Sequence, residues 1–329
     1  MSEKGYVPPY TITDKTVNLI SAITEIITKI TINDNMSNNP RLRRDNRIRT
    51  IHASLAIENN SLSLDQVTDI INGKRILGAP DEICEVKNAF EAYNRLLEMN
   101  PYSIKDMLLA HKVLMNELTK EAGTFRSGGV GVFAGEQLVH MAPPANQVPH
   151  LMKELVDWAK RAEVHPLIKS CVFHYEFKFI HPFVDGNGRM GRLWQTVILK
   201  DYSPVFEFLP IESLIKERQQ DYYDVLGKSD NQGNSTRFIE FMLKIINIAL
   251  EDLLKTQNRT LTGTDRINIF KNFIGNELFT RQDYLRHNKE ISTATASRDL
   301  KEAVDNDIIE KTGDKRLTKY RYKKTVPNT

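Results

Sequence analysis

Apolar residues recur at helical spacing through most of the chain. Near the start, Val17, Ile20, Ile23, Ile27 and Ile30 fall on one face of a first helix. The same spacing predicts helices over 47–58, 81–99, 103–118, 148–161, 166–179, 189–199, 212–226 and 235–254. Polar, glycine-bearing or proline-bearing stretches separate them: SNNP near residue 38, INGKRILGAPDE near residue 75 and SDNQGN near residue 231.

One stretch departs from this period. Residues 123–139, GTFRSGGVGVFAGEQLV, alternate apolar and polar positions among clustered glycines, with a turn expected at Ala134, Gly135 and Glu136. That pattern predicts a β-hairpin inserted in a helical domain, with an ordinary connecting loop as the other reading. After Leu254 the periodicity stops, and residues 255–265 read as a linker. The tail at 266–329 then predicts three short helices and two strands about a Gly313-Asp314 turn, the order of a winged helix-turn-helix. The expected fold class is therefore mainly α: a helical core with an inserted β-hairpin flap, plus a C-terminal winged helix-turn-helix domain.

Composition narrows the partners. The 329 residues suffice for a large core and an appendage, and the charged and apolar fractions are those of an ordinary globular chain. A net charge of +3 gives no whole-chain case for nucleic acid. Local clustering bears on it instead: Lys311, Lys315, Arg316, Lys319, Arg321, Lys323 and Lys324 gather in the tail, which makes DNA a candidate partner of 266–329 alongside protein docking or a plain solvated face. The two cysteines, Cys84 and Cys171, exclude a disulfide scaffold and a cysteine-rich zinc site. Without a signal-peptide pattern or a bilayer-length apolar run, the expectation is a cytoplasmic chain with no membrane partner.

The chemistry concentrates in HPFVDGNGRMGR at residues 181–192. Gly186, Gly188 and Gly191 form a G-x-G-x-x-G spacing, but a dinucleotide fingerprint follows a buried strand, and CVFHYEFKFIH before it has helical spacing. Kinase catalytic-loop signatures are missing as well. The physical content remains. Glycines on both sides of Asn187 let several N–H groups converge on an anion, and a helix starting near Arg189 adds its positive end. Arg189 and Arg192 lie three apart on that first turn. Asp185 supplies a carboxylate suited to Mg²⁺ beside phosphate, and His181 a group suited to accept a proton. Together they read as a phosphoryl or nucleotidyl transfer site.

This string resembles the Fic signature H-x-F-x-[D/E]-G-N-G-R-x-x-R at every defined position, and the likeness extends over about 8–254. The resemblance implies a Fic-type core and a protein adenylyltransferase that moves AMP from ATP to a Ser, Thr or Tyr hydroxyl of a target protein. In that reading His181 is the general base and Asp185 the Mg²⁺ ligand. Gly186, Asn187, Gly188, Arg189, Met190, Gly191 and Arg192 surround the phosphates. TFRSGGVGVF and the following segment resemble the flap over the active site, with Val139, His140 and Met141 near the nucleotide; YYDVL puts Tyr222 and Tyr223 on the adenine side. A kinase branch carries lysine where this chain has Gly188, which favours AMP transfer here, and phosphocholine transfer is only weakly disfavoured.

A second pattern, [S/T]-x-x-x-E-[G/N]-N, matches Ser54, Glu58, Asn59 and Asn60, and resembles the family's inhibitory helix. The implied contact is Glu58 with Arg192, which would withhold that arginine from the γ-phosphate. The expected organisation is an N-terminal helical region with this motif over 1–100, a core over 101–254, the linker, and the tail. Self-modification and a homodimer are further expectations. The alternative functions are a DNA-binding regulator with a nucleotide-sensing core, and AMP removal at the same site.

Overall fold

The computed structural model describes residues 5–32, 40–134, 137–258, 262–289, 291–314 and 318–323. The chain divides into two compact units, 1–257 and 258–329.

The first unit opens with α1 (Asp14–Ile32), α2 (Pro40–Ile57), α3 (Leu64–Ile71), α4 (Pro80–Asn94) and α5 (Ile104–Leu114). The hairpin β1 (Gly131–Ala134) and β2 (Gln137–Met141) follows, then α6 (Val148–Arg161), α7 (Pro166–Ile180) and α8 (Asn187–Lys200). It closes with α9 (Ile211–Glu217), α10 (Gln219–Gln232) and α11 (Thr236–Asn258). At its centre α7 and α8 pack along their length; residues 187–199 of α8 are all buried. A helix buried on every side must satisfy its polar residues within the protein, which is how two arginines come to lie in this core.

Several element ends differ from the sequence expectation. α2 begins two turns early because its first residues carry no apolar period: among the described side chains of 40–46 only Asn46 is buried, and it is polar. α3, eight residues long, shows no extended apolar period and is marked only by its capping box, in which Ser63 and Gln66 cap each other's backbone. The expected helix over 212–226 is two helices broken at Arg218, and α10 continues through the expected loop to end on Gly233 in left-handed geometry. α11 extends into the expected linker to Asn258, and a Thr262–Asp265 capping box starts the next helix at Gly263.

The inserted hairpin is antiparallel, Gly131 opposite Met141 and Ala134 opposite Gln137, with a bulge beside Val132 and Phe133. Its turn residues Gly135 and Glu136 lie outside the described residues.

The second unit contains α12 (Gly263–Ile274), α13 (Arg281–His287), α14 (Thr293–Asp305) and a hairpin of β3 (Ile309–Thr312) with β4 (Lys319–Tyr322). Its own core gathers Ile267, Phe270, Phe279, Tyr284, Leu300 and Tyr322. Asp299 is buried there against Arg266, with the Tyr284 hydroxyl donating to it as well. Among the described residues no helix is long and apolar enough to cross a membrane.

Candidate active site

The loop between α7 and α8 is held by its own side chains. α7 ends on His181 in left-handed geometry, φ 50°, a conformation costing an L-residue about 1–2 kcal/mol. Buried Arg126 opposes that cost. Its Nε donates to the His181 carbonyl at 2.7 Å, and its Nη2 to the carbonyls of Ile180 at 3.3 Å and Pro143 at 2.5 Å. Its backbone N–H donates to Pro182 at 2.9 Å and its Nη1 to the Gly128 carbonyl at 2.9 Å. One guanidinium thus joins both ends of the flap segment to the histidine's backbone. Nothing in the sequence pattern singled out Arg126.

Asn187 closes the loop from inside. Its Oδ1 accepts from the Phe183 N–H at 2.9 Å and its Nδ2 donates to the Phe183 carbonyl at 2.8 Å. Oδ1 and one of the two amide N–H groups are thus engaged in the turn, which leaves the second N–H for the phosphate contact expected of Asn187. Phe183 stacks on His111 at 3.6 Å between ring centroids. His111 Nδ1 accepts from the Gly123 N–H at 2.9 Å, so Nε2 carries the proton given to the Asp185 carbonyl at 3.0 Å. That bonding needs a neutral ring, and burial lowers its pKa to about 4.

The start of α8 remains open to an anion. Gly186 is the N-cap with φ 80° and offers no side chain. The helical ladder begins when Met190 donates to Gly186 at 2.9 Å, so the N–H groups of Asn187, Gly188 and Arg189 precede it. Met190 is buried in the apolar core, and Gly191 permits close packing of α8 on His174 of α7. Both were expected around the phosphates; their roles here are packing.

Each motif arginine already has a carboxylate. Arg192 is 2% exposed; its Nη2 donates to Glu58 Oε1 at 2.9 Å and to the Ser54 carbonyl at 2.8 Å, and its Nε to Ser54 Oγ at 3.1 Å. Burial pushes the Glu58 carboxyl up, but Arg192, Lys178 and Arg189 outweigh it and hold it below the usual carboxylate range. Burial likewise works against the Arg192 charge, and Glu58 more than restores it. A Cβ built on Gly188 would stand 2.0 Å from Glu58 Oε1. The Glu58 carboxylate therefore lies against Gly188 in the first turn of α8 while it pairs with Arg192.

The end of α2 explains how Glu58 is aimed. Asn59, at φ 70°, donates to Ala56 at 3.2 Å, and Asn60 to Leu55 at 3.2 Å, the double closure of a Schellman motif. Asparagine tolerates the left-handed position better than most residues. Lys216 caps the Ala56 carbonyl at 2.7 Å and Gln219 the Ile57 carbonyl at 3.0 Å.

Arg189 is 5% exposed and pairs with Glu85 on α4, Nη1 to Oε1 at 2.7 Å, and loosely with Asp185, Nη2 to Oδ2 at 3.4 Å. Its Nε is buried with no hydrogen-bond partner among the described residues. That orphaned donor and the uncapped helix start suit phosphate oxygens. The Asp185 side chain is 64% exposed, so one hard oxygen ligand is available for Mg²⁺. Among the described residues no group of three or more His, Cys, Asp or Glu residues makes a metal site.

Other expected residues fall differently. Val139 and His140 belong to β2, but their side chains lie outside the described residues; Met141 is 67% exposed. Tyr222 is a correction. It is fully buried, donates to His174 Nε2 at 3.1 Å and has no open face for adenine. Tyr223, 40% exposed, keeps one.

A family model for the Fic/DOC family matches residues 101–199. A Fic family protein from Desulfovibrio desulfuricans G20, known from its crystal structure, is 46% identical, with 98% of this chain and 100% of that one covered and a TM-score of 0.75. The chain belongs to the Fic family. Fic-1 from C. elegans, residues 134–508, shares the fold at 24% identity and a TM-score of 0.62, with 73% of this chain and 72% of that one covered. Among curated Fic relatives, the protein adenylyltransferase Fic of Drosophila willistoni is 29% identical over 215 residues, 61% of this chain and 40% of that protein. The enzyme of the same name from Nematostella vectensis is 29% identical over 228 residues, 66% and 51% of the two chains. This Fic chain thus spans about half the length, or less, of the curated relatives it matches.

Proposed function

We propose that the chain is a protein adenylyltransferase, transferring AMP from ATP to a protein hydroxyl, and that Glu58 holds it in check. The observation that carries this reading is the shared position of Glu58 Oε1, between Gly188 at the start of α8 and Arg192 Nη2. A carboxylate seated among an uncapped helix start and a guanidinium marks where phosphate oxygens would bind.

In the reaction the acceptor oxygen attacks the α-phosphorus, the bond to the α–β bridging oxygen breaks, and pyrophosphate leaves with that electron pair. His181 takes the hydroxyl proton; its Nδ1 lies 3.4 Å from the Lys178 carbonyl, the arrangement in which Nδ1–H donates and Nε2 is the basic nitrogen. The first-turn N–H groups of α8 receive phosphate oxygens, and Arg189 and Arg192 hold the outer phosphates. Asp185 would carry Mg²⁺, which neutralises phosphate charge when bound. Positioning and charge stabilisation supply most of such catalysis. The partner is a target protein with an accessible Ser, Thr or Tyr hydroxyl, and self-modification belongs to the same reading.

Incubating the purified chain and a cell lysate with ATP labelled at the α- or the γ-phosphate tests the reaction. AMP transfer puts only the α-label on protein. A γ-label on protein, as a kinase gives, contradicts it.

The second unit supports a separate reading as a winged-helix module. Its hairpin exposes Lys311, Lys319, Arg321 and Lys323, and α14 exposes Thr293, Arg298 and Lys301. Lys315, Arg316 and Lys324 lie outside the described residues. Such a basic surface suits a phosphate backbone. Gel shifts of the full chain with and without residues 258–329 test it: salt-sensitive DNA binding lost on truncation supports the reading, and unchanged or absent binding contradicts it.

A further inference from the structure

Glu85 joins the two halves of the site, and sequence patterns did not mark it. Its Oε1 accepts from Arg189 Nη1 at 2.7 Å, and its Oε2 from Asn60 Nδ2 at 2.8 Å. Asn60 is buried and braced on its other side, accepting from the Leu62 N–H at 3.1 Å through Oδ1. The Asn60 backbone is the second closure of the α2 terminus, two residues beyond Glu58. One carboxylate therefore touches both Arg189 at the start of α8 and the residue that closes the α2 terminus bearing Glu58.

The geometry at Arg189 shows what that contact does. A guanidinium presents its donors in a rigid plane, and its Nε–Nη2 edge can grip two oxygens of a phosphate. Glu85 holds the third nitrogen, Nη1. The Nε–Nη2 edge carries only the 3.4 Å contact to Asp185, and Nε has no partner among the described residues. Were Glu85 to take the Nε–Nη2 edge, it would compete with phosphate as Glu58 competes at Arg192. Taking Nη1, it leaves that edge for the ligand while fixing the plane of a long, flexible side chain.

We propose that Glu85 is a positioning residue. It orients Arg189 so that the Nε–Nη2 edge receives an outer phosphate of ATP, and Asn60 orients Glu85. The proposal rests on the AMP-transfer reading. It differs in kind from the Glu58 contact: removing Glu58 should raise activity, whereas removing Glu85 should weaken ATP use.

The test is made in the full chain carrying Glu58→Gly, so that the inhibitory carboxylate does not mask the result. ATP affinity by calorimetry, and KM and kcat for α-label transfer, are measured for this parent and for its Glu85→Ala and Glu85→Gln derivatives. The expected result is a rise of about tenfold in Kd and KM with Glu85→Ala and kcat changed far less, the signature of lost ligand positioning. Glu85→Gln, which keeps an acceptor oxygen for Arg189, should recover part of that affinity. Unchanged Kd and KM in both derivatives overturn the proposal, as does a fall in kcat alone that tracks the folded fraction. A parent that binds ATP and transfers the α-label, with unaffected derivatives, refutes Glu85's role and leaves the AMP-transfer reading intact. A parent that does neither refutes both.

Discussion

Glu58 and Gly188 compete for one volume: a β-carbon on Gly188 would lie 2.0 Å from Glu58 Oε1. Gly188 is inside α8, and its nearest other obstacle is the flexible end of Arg192 at 3.3 Å. The glycine is therefore needed for room, and the room is taken by the Glu58 carboxylate.

A double-mutant cycle reads this competition. Gly188→Ala alone should destabilise the protein by about 1–3 kcal/mol, because Glu58 must leave Arg192. In a Glu58→Ala background the same change should become neutral or stabilise by up to about 1 kcal/mol, the helix preference of alanine over glycine. Denaturant unfolding of the four proteins measures the coupling. Effects that add to within about 0.5 kcal/mol would mean the two residues do not interact.

Asn187→Ala should act through folding of the loop. It strands the buried N–H and carbonyl of Phe183, each worth about 1–3 kcal/mol when unsatisfied. A thermal midpoint lowered by several degrees is expected alongside the loss of transfer. An unchanged midpoint with lost ATP binding would instead assign the amide to the nucleotide.

His181→Ala separates chemistry from binding. Arg126 holds the His181 backbone carbonyl, a contact the substitution keeps, so ATP affinity should stay nearly unchanged. Transfer should fall about 10²–10⁴-fold, the ordinary contribution of a positioned base. A variant retaining most of its transfer rate would exclude His181 from proton abstraction.

Stability should carry the signature of Glu212. This buried carboxyl accepts from the Tyr93 hydroxyl at 2.9 Å, and burial raises its pKa from 4.5 to about 7. Between those values the folded state binds the proton more tightly than the unfolded chain. The stability is thus fully present below pH 4.5 and lost as pH rises through 7, by at most about 1.4 kcal/mol per pH unit. Glu212→Gln should flatten that fall in unfolding experiments from pH 5 to 7. Parallel wild-type and variant curves would show that Glu212 does not titrate there.

The fold and the site were legible in the sequence to different depths. The α7–loop–α8 string is local, so glycines, arginines and histidine at fixed spacing carried its chemistry directly. The Ser54–Glu58 pattern pointed to Arg192, 134 residues away, only through family resemblance; the 2.9 Å contact is a property of the packed helices. Arg126 and Glu85 were invisible because their partners are backbone carbonyls and residues from other helices, which leave no periodic trace. Tyr222 departs from expectation for the opposite reason. Its type suits ligand contact, but the fold buries its ring and commits its hydroxyl to His174, just as it engages part of the Asn187 amide in the turn with Phe183.

The most direct measurement is the initial rate of α-label transfer to protein, at saturating ATP, for the wild type and Glu58→Gly. The carboxylate at Gly188 and Arg192 predicts a rate in Glu58→Gly at least about tenfold higher, since breaking such a buried pair commonly involves several kcal/mol. The added label should disappear when His181→Ala is combined with it. Equal rates for the wild type and Glu58→Gly would contradict the account.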